Sequence, residues 1–117
     1  MKFRIDGPIK SGKNNMGVGR NGIHYPLKAF SVWRGGVFDQ LRKQFPAGPA
    51  CWNAPCNVSF DYWPGDARRR DVPGMIDAVF HCAERFGIVK DDALFVNVKW
   101  TTHEIDRVKP GLNVEIY

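Results

Sequence analysis

The chain has 117 residues, of which 44% are hydrophobic and 13% aromatic. This apolar content supports one compact core and excludes a disordered tail, so we expect a single domain over residues 1–117. The formal net charge of +5 at pH 7 favours an anionic partner, most simply a nucleic acid. The first residues lack the apolar core of a signal peptide, and no apolar run is long enough to span a bilayer. We therefore expect a cytoplasmic protein with no membrane partner.

The first part of the chain predicts a strand followed by a basic loop. Residues 2–6 alternate apolar and polar side chains, and residues 7–22 are rich in glycine, asparagine and lysine. Two phosphate-binding patterns occur in this loop, GPIKSGKN and GVGRNG, but neither is followed by the helix that nucleotide-binding folds require. We interpret the segment as a loop in which Lys10, Lys13 and Arg20 contact a nucleic acid backbone. A merely solvated loop is the alternative.

Apolar spacing predicts the next two elements. Residues 27–45 carry an apolar side chain every three or four positions, which is typical of an amphipathic helix. Gly35 and Gly36 weaken its middle, and either close packing or a bend would explain them. Residues 57–63 alternate and predict a strand.

The chain has three cysteines, an odd number, and no secretory signal, so we expect reduced thiols. A structural zinc site would need a second pair of ligands, which the cysteines do not provide.

A second helix is predicted between Asp71 and Gly87. Asp71 is a suitable N-cap, Pro73 fits the first turn, and Gly87 is a natural stop. Strands are then predicted over 93–102 and 112–116.

The order β, α, β, α, β, β predicts an α+β fold, a small mixed sheet with both helices packed on one face. We assign Trp33, Trp63 and Trp100 to the core rather than to base stacking.

Three polar residues of the second helix, Asp77, His81 and Glu84, fall on one face. A solvated polar face explains them without any function. The alternative is metal-dependent phosphodiester chemistry, because carboxylates hold Mg²⁺ while the neighbouring arginines at 68–70 hold phosphate.

The same stretch resembles a family signature. The segments RRRDVPGMIDAV and GIVKDDALFVNVKW are similar to the motif of the RusA family of Holliday junction resolvases. FRIDGPIKSGKNN followed by GIHYP also resembles the first strand and loop of that family. The resemblance covers most of the chain, and its specific part is the stretch 66–92. The matching positions are Asp66, Arg69, Arg70, Asp71, Gly87, Asp91 and Asp92.

The resemblance implies a RusA-like fold and an Mg²⁺-dependent endonuclease, with Mn²⁺ as the alternative metal. Such an enzyme cleaves four-way junctions and other branched DNA in recombination and repair, and it acts as a homodimer in a bacterial or phage-infected cell. Asp71 and Asp92 carry over as catalytic, metal-binding carboxylates. Arg68, Arg69 and Arg70 carry over as contacts to the DNA backbone, although Arg70 could equally be a simple ion-pair partner.

The sequence departs from the family pattern at four positions. Pro73 replaces the second motif aspartate, Gly74 an asparagine, Asp77 the catalytic lysine and His81 a helix aspartate. We hypothesise that Asp77 supplies the catalytic, metal-binding carboxylate that is lost at Pro73, with Asp91 as a further metal ligand. This function requires the acids at both ends of the second helix to converge on one cation beside the arginines.

Two alternatives to a nuclease stay open. One is a catalytically inactive relative that binds junctions or other DNA through the basic surface without cutting. The other is a protein-interaction module that shows no preference for junctions over duplex DNA.

Overall fold

The computed structural model of the chain describes residues 1–12, 16–18, 21–22 and 24–117. Three strands, β1 (Lys2–Asp6), β2 (Met16–Val18) and β3 (His24–Pro26), precede helix α1 (Lys28–Gln44). Then follow strand β4 (Cys56–Trp63), helix α2 (Val72–Phe86), a 3₁₀ helix (Asp92–Leu94), and strands β5 (Phe95–Thr102) and β6 (Gly111–Ile116).

Four strands form one mixed sheet in the order β1-β6-β4-β5. Strand β6 runs antiparallel to both β1 and β4. Strands β4 and β5 are parallel, since α2 carries the chain back between them. The predicted α+β class, with a mixed sheet and two helices, is therefore confirmed.

Strands β2 and β3 form a separate two-stranded antiparallel sheet, in which Gly17 lies opposite Tyr25. The prediction of a loop over 7–22 is therefore wrong for residues 16–18. Each of these strands has three residues, and one has a central glycine, so the sequence carries little alternation to reveal them.

Both helices cover the same face of the sheet. Strand β4 alternates buried and half-buried residues along its whole length, with Val58, Phe60 and Tyr62 in the core. The helical residues of the core are Val37, Leu41, Met75, Val79, Cys82 and Ala83. The other face is polar, and on it the side chain of Asn97 donates a hydrogen bond to that of Asn57 at 2.8 Å.

Two of the three tryptophans assigned to the core pack there. Trp33 and Trp100 contact core residues. Trp63 lies on the polar face, where its ring stacks on His103 with a centroid distance of 4.4 Å. Its assignment was wrong because alternation along β4 places Tyr62 and Trp63 on opposite faces.

The ends of α2 are the predicted ones. The Asp71 carboxylate accepts a hydrogen bond from the Gly74 N–H at 3.3 Å, and Pro73 lies in the first turn. Gly87 ends the helix with φ +91°, a conformation that favours glycine. Among the described residues, neither helix combines the length and the apolar composition that crossing a membrane requires.

Candidate metal centre and basic surface

Three carboxylates meet just beyond the C-terminal end of α2. Each of Glu84, Asp91 and Asp92 offers one oxygen atom, and these oxygens all lie within 4.8 Å of one another. We call these three residues the acidic group. Three exposed carboxylates at this spacing could hold a metal ion, and their oxygen atoms suit a hard cation such as Mg²⁺, Mn²⁺ or Ca²⁺.

Local hydrogen bonds position the acidic group. The turn at Gly87 reverses the chain, so the residues after it return alongside the last turn of α2. A Glu84 carboxylate oxygen accepts a hydrogen bond from the Asp92 N–H at 3.2 Å. The Asp91 side chain caps the 3₁₀ helix by accepting from the Ala93 N–H at 2.9 Å. The backbone thus fixes two of the three carboxylates.

The acidic group is electrostatically unfavourable without a cation. Burial raises the pKa of Asp92, and the negative charges of Glu84, Asp91 and Asp77 raise it further. A divalent cation would relieve this repulsion, since it neutralises the charges that oppose ionisation of Asp92.

Of the predicted metal ligands, Asp91 and Asp92 belong to the acidic group, whereas Asp71 and Asp77 do not. The Asp71 carboxylate instead caps α2 at Gly74 and accepts a hydrogen bond from the Ser11 hydroxyl at 3.1 Å. Helical rise places Asp71 about 20 Å from Glu84 along α2. Within one chain the structure therefore brings Asp92 together with Glu84 and Asp91, and not with Asp71.

Asp77 lies on the exposed side of α2, two turns before Glu84, and only its charge reaches Asp92. The structure leaves Asp77 outside the acidic group, so the hypothesis that it replaces the ligand lost at Pro73 stays a prediction. Pro73 sits in the first turn of the helix, so a carboxylate there would also lie far from Glu84. Asp77 contributes to the field of the site rather than to its set of ligands.

Glu84 is the member of the acidic group that the sequence did not single out as a metal ligand. It shares a helix face with Asp77, but only the position of the returning chain shows which of the two lies beside Asp92. The third member of that face, His81, turns towards α1, where its Nε2 hydrogen-bonds to Arg34 Nη1 at 2.9 Å. Burial and the charges of Arg34 and Arg85 lower the pKa of His81.

The arginines at 68–70 have different roles. Arg70 donates hydrogen bonds to Asp66, to the Tyr62 hydroxyl and to the Arg68 carbonyl. Its guanidinium therefore holds the segment between β4 and α2 together and is a poor candidate for DNA contact. The ion-pair alternative for Arg70 is correct, with Asp66 as the partner.

Arg68 and Arg69 remain available at the surface. Arg68 pairs with Asp66 at 3.1 Å, but its side chain is 84% exposed. Arg69 is exposed and lines an open cleft with Arg70, Asp71 and the first turn of α2. These two guanidinium groups, together with the positive end of the helix dipole, form a basic surface at the N-terminal end of α2.

The chain after β1 packs against this same end of α2. The Gly12 N–H donates to the Gly74 carbonyl at 2.8 Å, and a Cβ added at Gly74 would lie 2.0 Å from the Ser11 hydroxyl oxygen. A side chain at position 74 would therefore force the Ser11 hydroxyl and the Asp71 carboxylate to move. Lys10 is exposed two residues away and extends the basic surface. Lys13 and Arg20, the other predicted DNA contacts of the loop, lie outside the described residues.

Comparison of the sequence with protein-family models and with curated proteins found no match. The resemblance to the RusA family therefore stays a prediction that rests on the quoted segments.

Proposed function

We propose that the protein is a divalent-metal-dependent endonuclease that acts on branched DNA, with Mg²⁺ bound by the acidic group. The observation that carries this proposal is the approach of three carboxylate oxygens to within 4.8 Å of one another. The raised pKa of Asp92 supports it, because the repulsion among these acids is what a bound cation would relieve. This site keeps Asp91 and Asp92 from the sequence prediction and adds Glu84. It replaces the sequence-based requirement that acids from both ends of α2 converge on one cation beside the arginines.

A bound Mg²⁺ would polarise a scissile phosphate and activate a water molecule for attack on it. Glu84, Asp91 and Asp92 would hold the ion, and the field of Asp77 would add to its attraction. Lys10, Arg68 and Arg69 would bind DNA phosphates at the other end of α2. The axial rise of α2 between Asp71 and Glu84, about 20 Å, corresponds to roughly six base-pair steps of B-form DNA.

The choice of branched DNA as substrate rests on the RusA resemblance. A four-way junction presents two equivalent strands, so two sites related by a two-fold axis would cut it symmetrically. A homodimer of this chain would provide those sites.

Incubation of an end-labelled four-way junction with the protein, with and without Mg²⁺ or Mn²⁺, tests this proposal. We expect paired nicks across the crossover that require the metal. Glu84→Gln and Asp92→Asn should abolish them, whereas Glu104→Gln, a matched change at an exposed acid outside the group, should leave them intact. Cleavage that survives Glu84→Gln but not Asp71→Asn would place the chemistry at the N-terminal end of α2 instead and would contradict the proposal.

A second candidate function is junction binding without cleavage. The role of Asp71 as helix cap favours it, because the resemblance assigns a metal ligand to that position. Such a protein would shift a junction in a gel at low salt but leave it uncut in every divalent metal. Equal affinity for junction and duplex would instead support a protein-interaction module.

A further inference from the structure

Side-chain amides of α1 cover the free edge of β1. The Gln44 amide accepts a hydrogen bond from the Arg4 N–H at 2.8 Å and donates one to the Arg4 carbonyl at 2.7 Å. Gln40, one turn earlier, makes the same pair with the backbone of Asp6, at 2.6 and 3.2 Å. The backbone groups with which Arg4 and Asp6 would bind another strand are thus satisfied within the chain.

Strand β5 forms the other edge of the sheet, and only β4 pairs with it in the part of the chain that the structure describes. Val96 and Val98 are 58% and 44% exposed. Val98 lies opposite Val58 and Trp100 opposite Phe60, so these two side chains are on the face that the helices cover elsewhere, whereas the register shifts by one residue at Val96. A long edge with an exposed apolar stripe is a template for pairing with another strand, and Lys99 is the one charged residue within β5.

We propose that β5 pairs antiparallel with β5 of a second copy of this chain, with the two-fold axis at Val98. In this register Val98 faces its symmetry mate, and Trp100 of each copy lies diagonal to Val98 of the other. Aromatic and β-branched pairs of this kind stabilise antiparallel sheets. On the polar face Asn97 faces Lys99, so no like charges oppose each other. The product is one continuous sheet, to which each copy contributes four strands.

Neighbouring registers are less favourable. A shift by one residue would place the apolar stripe of one copy opposite the polar residues of the other. A two-fold axis at Lys99 would oppose two ammonium groups directly. An axis at Asn97 would leave fewer residues of β5 paired and would place Lys99 opposite Phe95. The charge and the alternation of β5 together select the axis at Val98.

This inference rests on the proposed function at one point, the choice of a second copy of the chain as the partner. The nuclease chemistry has no part in it.

Sedimentation equilibrium of the full chain tests this dimer. Val98→Lys and Val98→Glu each place like charges across the two-fold axis, so we expect either variant to raise the dimer dissociation constant about tenfold or more. An equimolar mixture of the two variants should restore dimers, since opposite charges then face each other. Val32→Lys, a matched change at a valine of α1 that is 68% exposed, should dimerise like the wild type.

Amide hydrogen exchange gives a second measurement that needs no variant. In the wild type we expect the β5 amides to exchange more slowly as the protein concentration rises through the dissociation constant. A wild-type protein that stays monomeric up to high concentration would overturn the inference. Val98 variants that dimerise as well as Val32→Lys, or exchange in β5 that does not depend on concentration, would overturn it too. Neither readout uses cleavage, so a failed nuclease proposal leaves the test unchanged.

Discussion

Asp66 fixes the segment between β4 and α2 through two arginines. Its carboxylate accepts hydrogen bonds from the guanidinium groups of Arg70 and Arg68 and from the Arg68 N–H. These contacts, with that of Arg70 the strongest, lower the pKa of Asp66 to about 2. Two positions of the quoted motif, Asp66 and Arg70, are therefore part of the scaffold that presents α2.

Asp66→Asn should change the dependence of stability on acid. Because the pKa of Asp66 is lower in the folded state, its charge stabilises the wild type fully above about pH 4. That contribution is lost as the pH falls through about 2. At pH 7 Asp66→Asn should be less stable than the wild type, and its free energy of unfolding should lack the fall that protonation of Asp66 causes in the wild type. Urea unfolding between pH 2 and pH 7 measures it, with Asp39→Asn in the exposed pair with Arg42 as the control. Parallel profiles for wild type and Asp66→Asn would contradict the assignment.

Glu84→Gln should have opposite effects on stability without and with metal. Glutamine keeps an oxygen for the Asp92 N–H but removes one of the charges that repel Asp92. Since the carboxylates are solvent-screened, we expect the metal-free protein to gain only about 0.3 kcal/mol. The variant should also lose most of the rise in melting temperature that Mg²⁺ gives the wild type. Thermal unfolding with and without Mg²⁺ measures both effects, and Glu104→Gln should show neither. Metal-free Glu84→Gln that is less stable than the metal-free wild type would contradict the repulsion between Glu84 and Asp92.

At the scale of elements, α1 contains two glycines that its packing does not require. A Cβ at Gly35 or Gly36 would meet no atom within 4 Å, so close packing does not explain them. Gly35→Ala and Gly36→Ala should each stabilise the protein by about 0.5–1 kcal/mol, because alanine is the better helix former. Chemical denaturation measures the change. Gly87→Ala is the matched control and should destabilise by about 1 kcal/mol, since φ at that position is +91°. Destabilisation by either α1 substitution would show that the helix needs its glycines.

The edge of β1 depends on two glutamines of α1. Gln44→Ala removes both hydrogen bonds to the backbone of Arg4, so we expect a loss of about 1 kcal/mol. Gln40→Ala should cost a similar amount at Asp6. Denaturant unfolding tests both, and Lys43→Ala, an exposed neighbour, should change stability by only a few tenths of that value. If Gln44→Ala changed the free energy of unfolding as little as Lys43→Ala, water would satisfy the Arg4 backbone as well as the Gln44 amide does.

Periodicity predicted the elements because each depends on local pattern. The limits of α2 follow from Asp71 and Gly87, whose capping roles are decided within a few residues of sequence. The pairing of distant segments carries no such signal. Thus the sequence indicated carboxylates on α2 and at residues 91–92, but which helical turn faces Asp92 is set by where the chain re-enters the sheet as β5. For that reason the sequence analysis named Glu84 on the polar face of α2 but chose Asp71 as a metal ligand.

At the scale of the whole molecule, α2 separates two kinds of charge. Arg68, Arg69 and Lys10 gather at its N-terminal end, whereas Glu84 and the acidic residues after it gather at the other. The sequence predicted both groups but placed them in one pocket. In the folded chain they lie about a helix length apart, roughly 20 Å, so one DNA strand would have to span α2 to reach both. In the proposed nuclease, phosphate contacts would therefore lie at one end of α2 and the metal ion at the other.

The basic surface at the start of α2 predicts how junction binding depends on salt concentration. Each phosphate contact contributes about −0.9 to the slope of log K against log salt concentration. Arg69→Ala should therefore weaken junction binding and make the slope shallower by about one. Arg42→Ala removes the same charge from an exposed ion pair on α1 and should leave the slope unchanged. Binding titrations between 50 and about 200 mM salt measure both slopes. Equal slopes for the two variants would mean that DNA responds to the net charge of the chain and not to the basic surface at the start of α2.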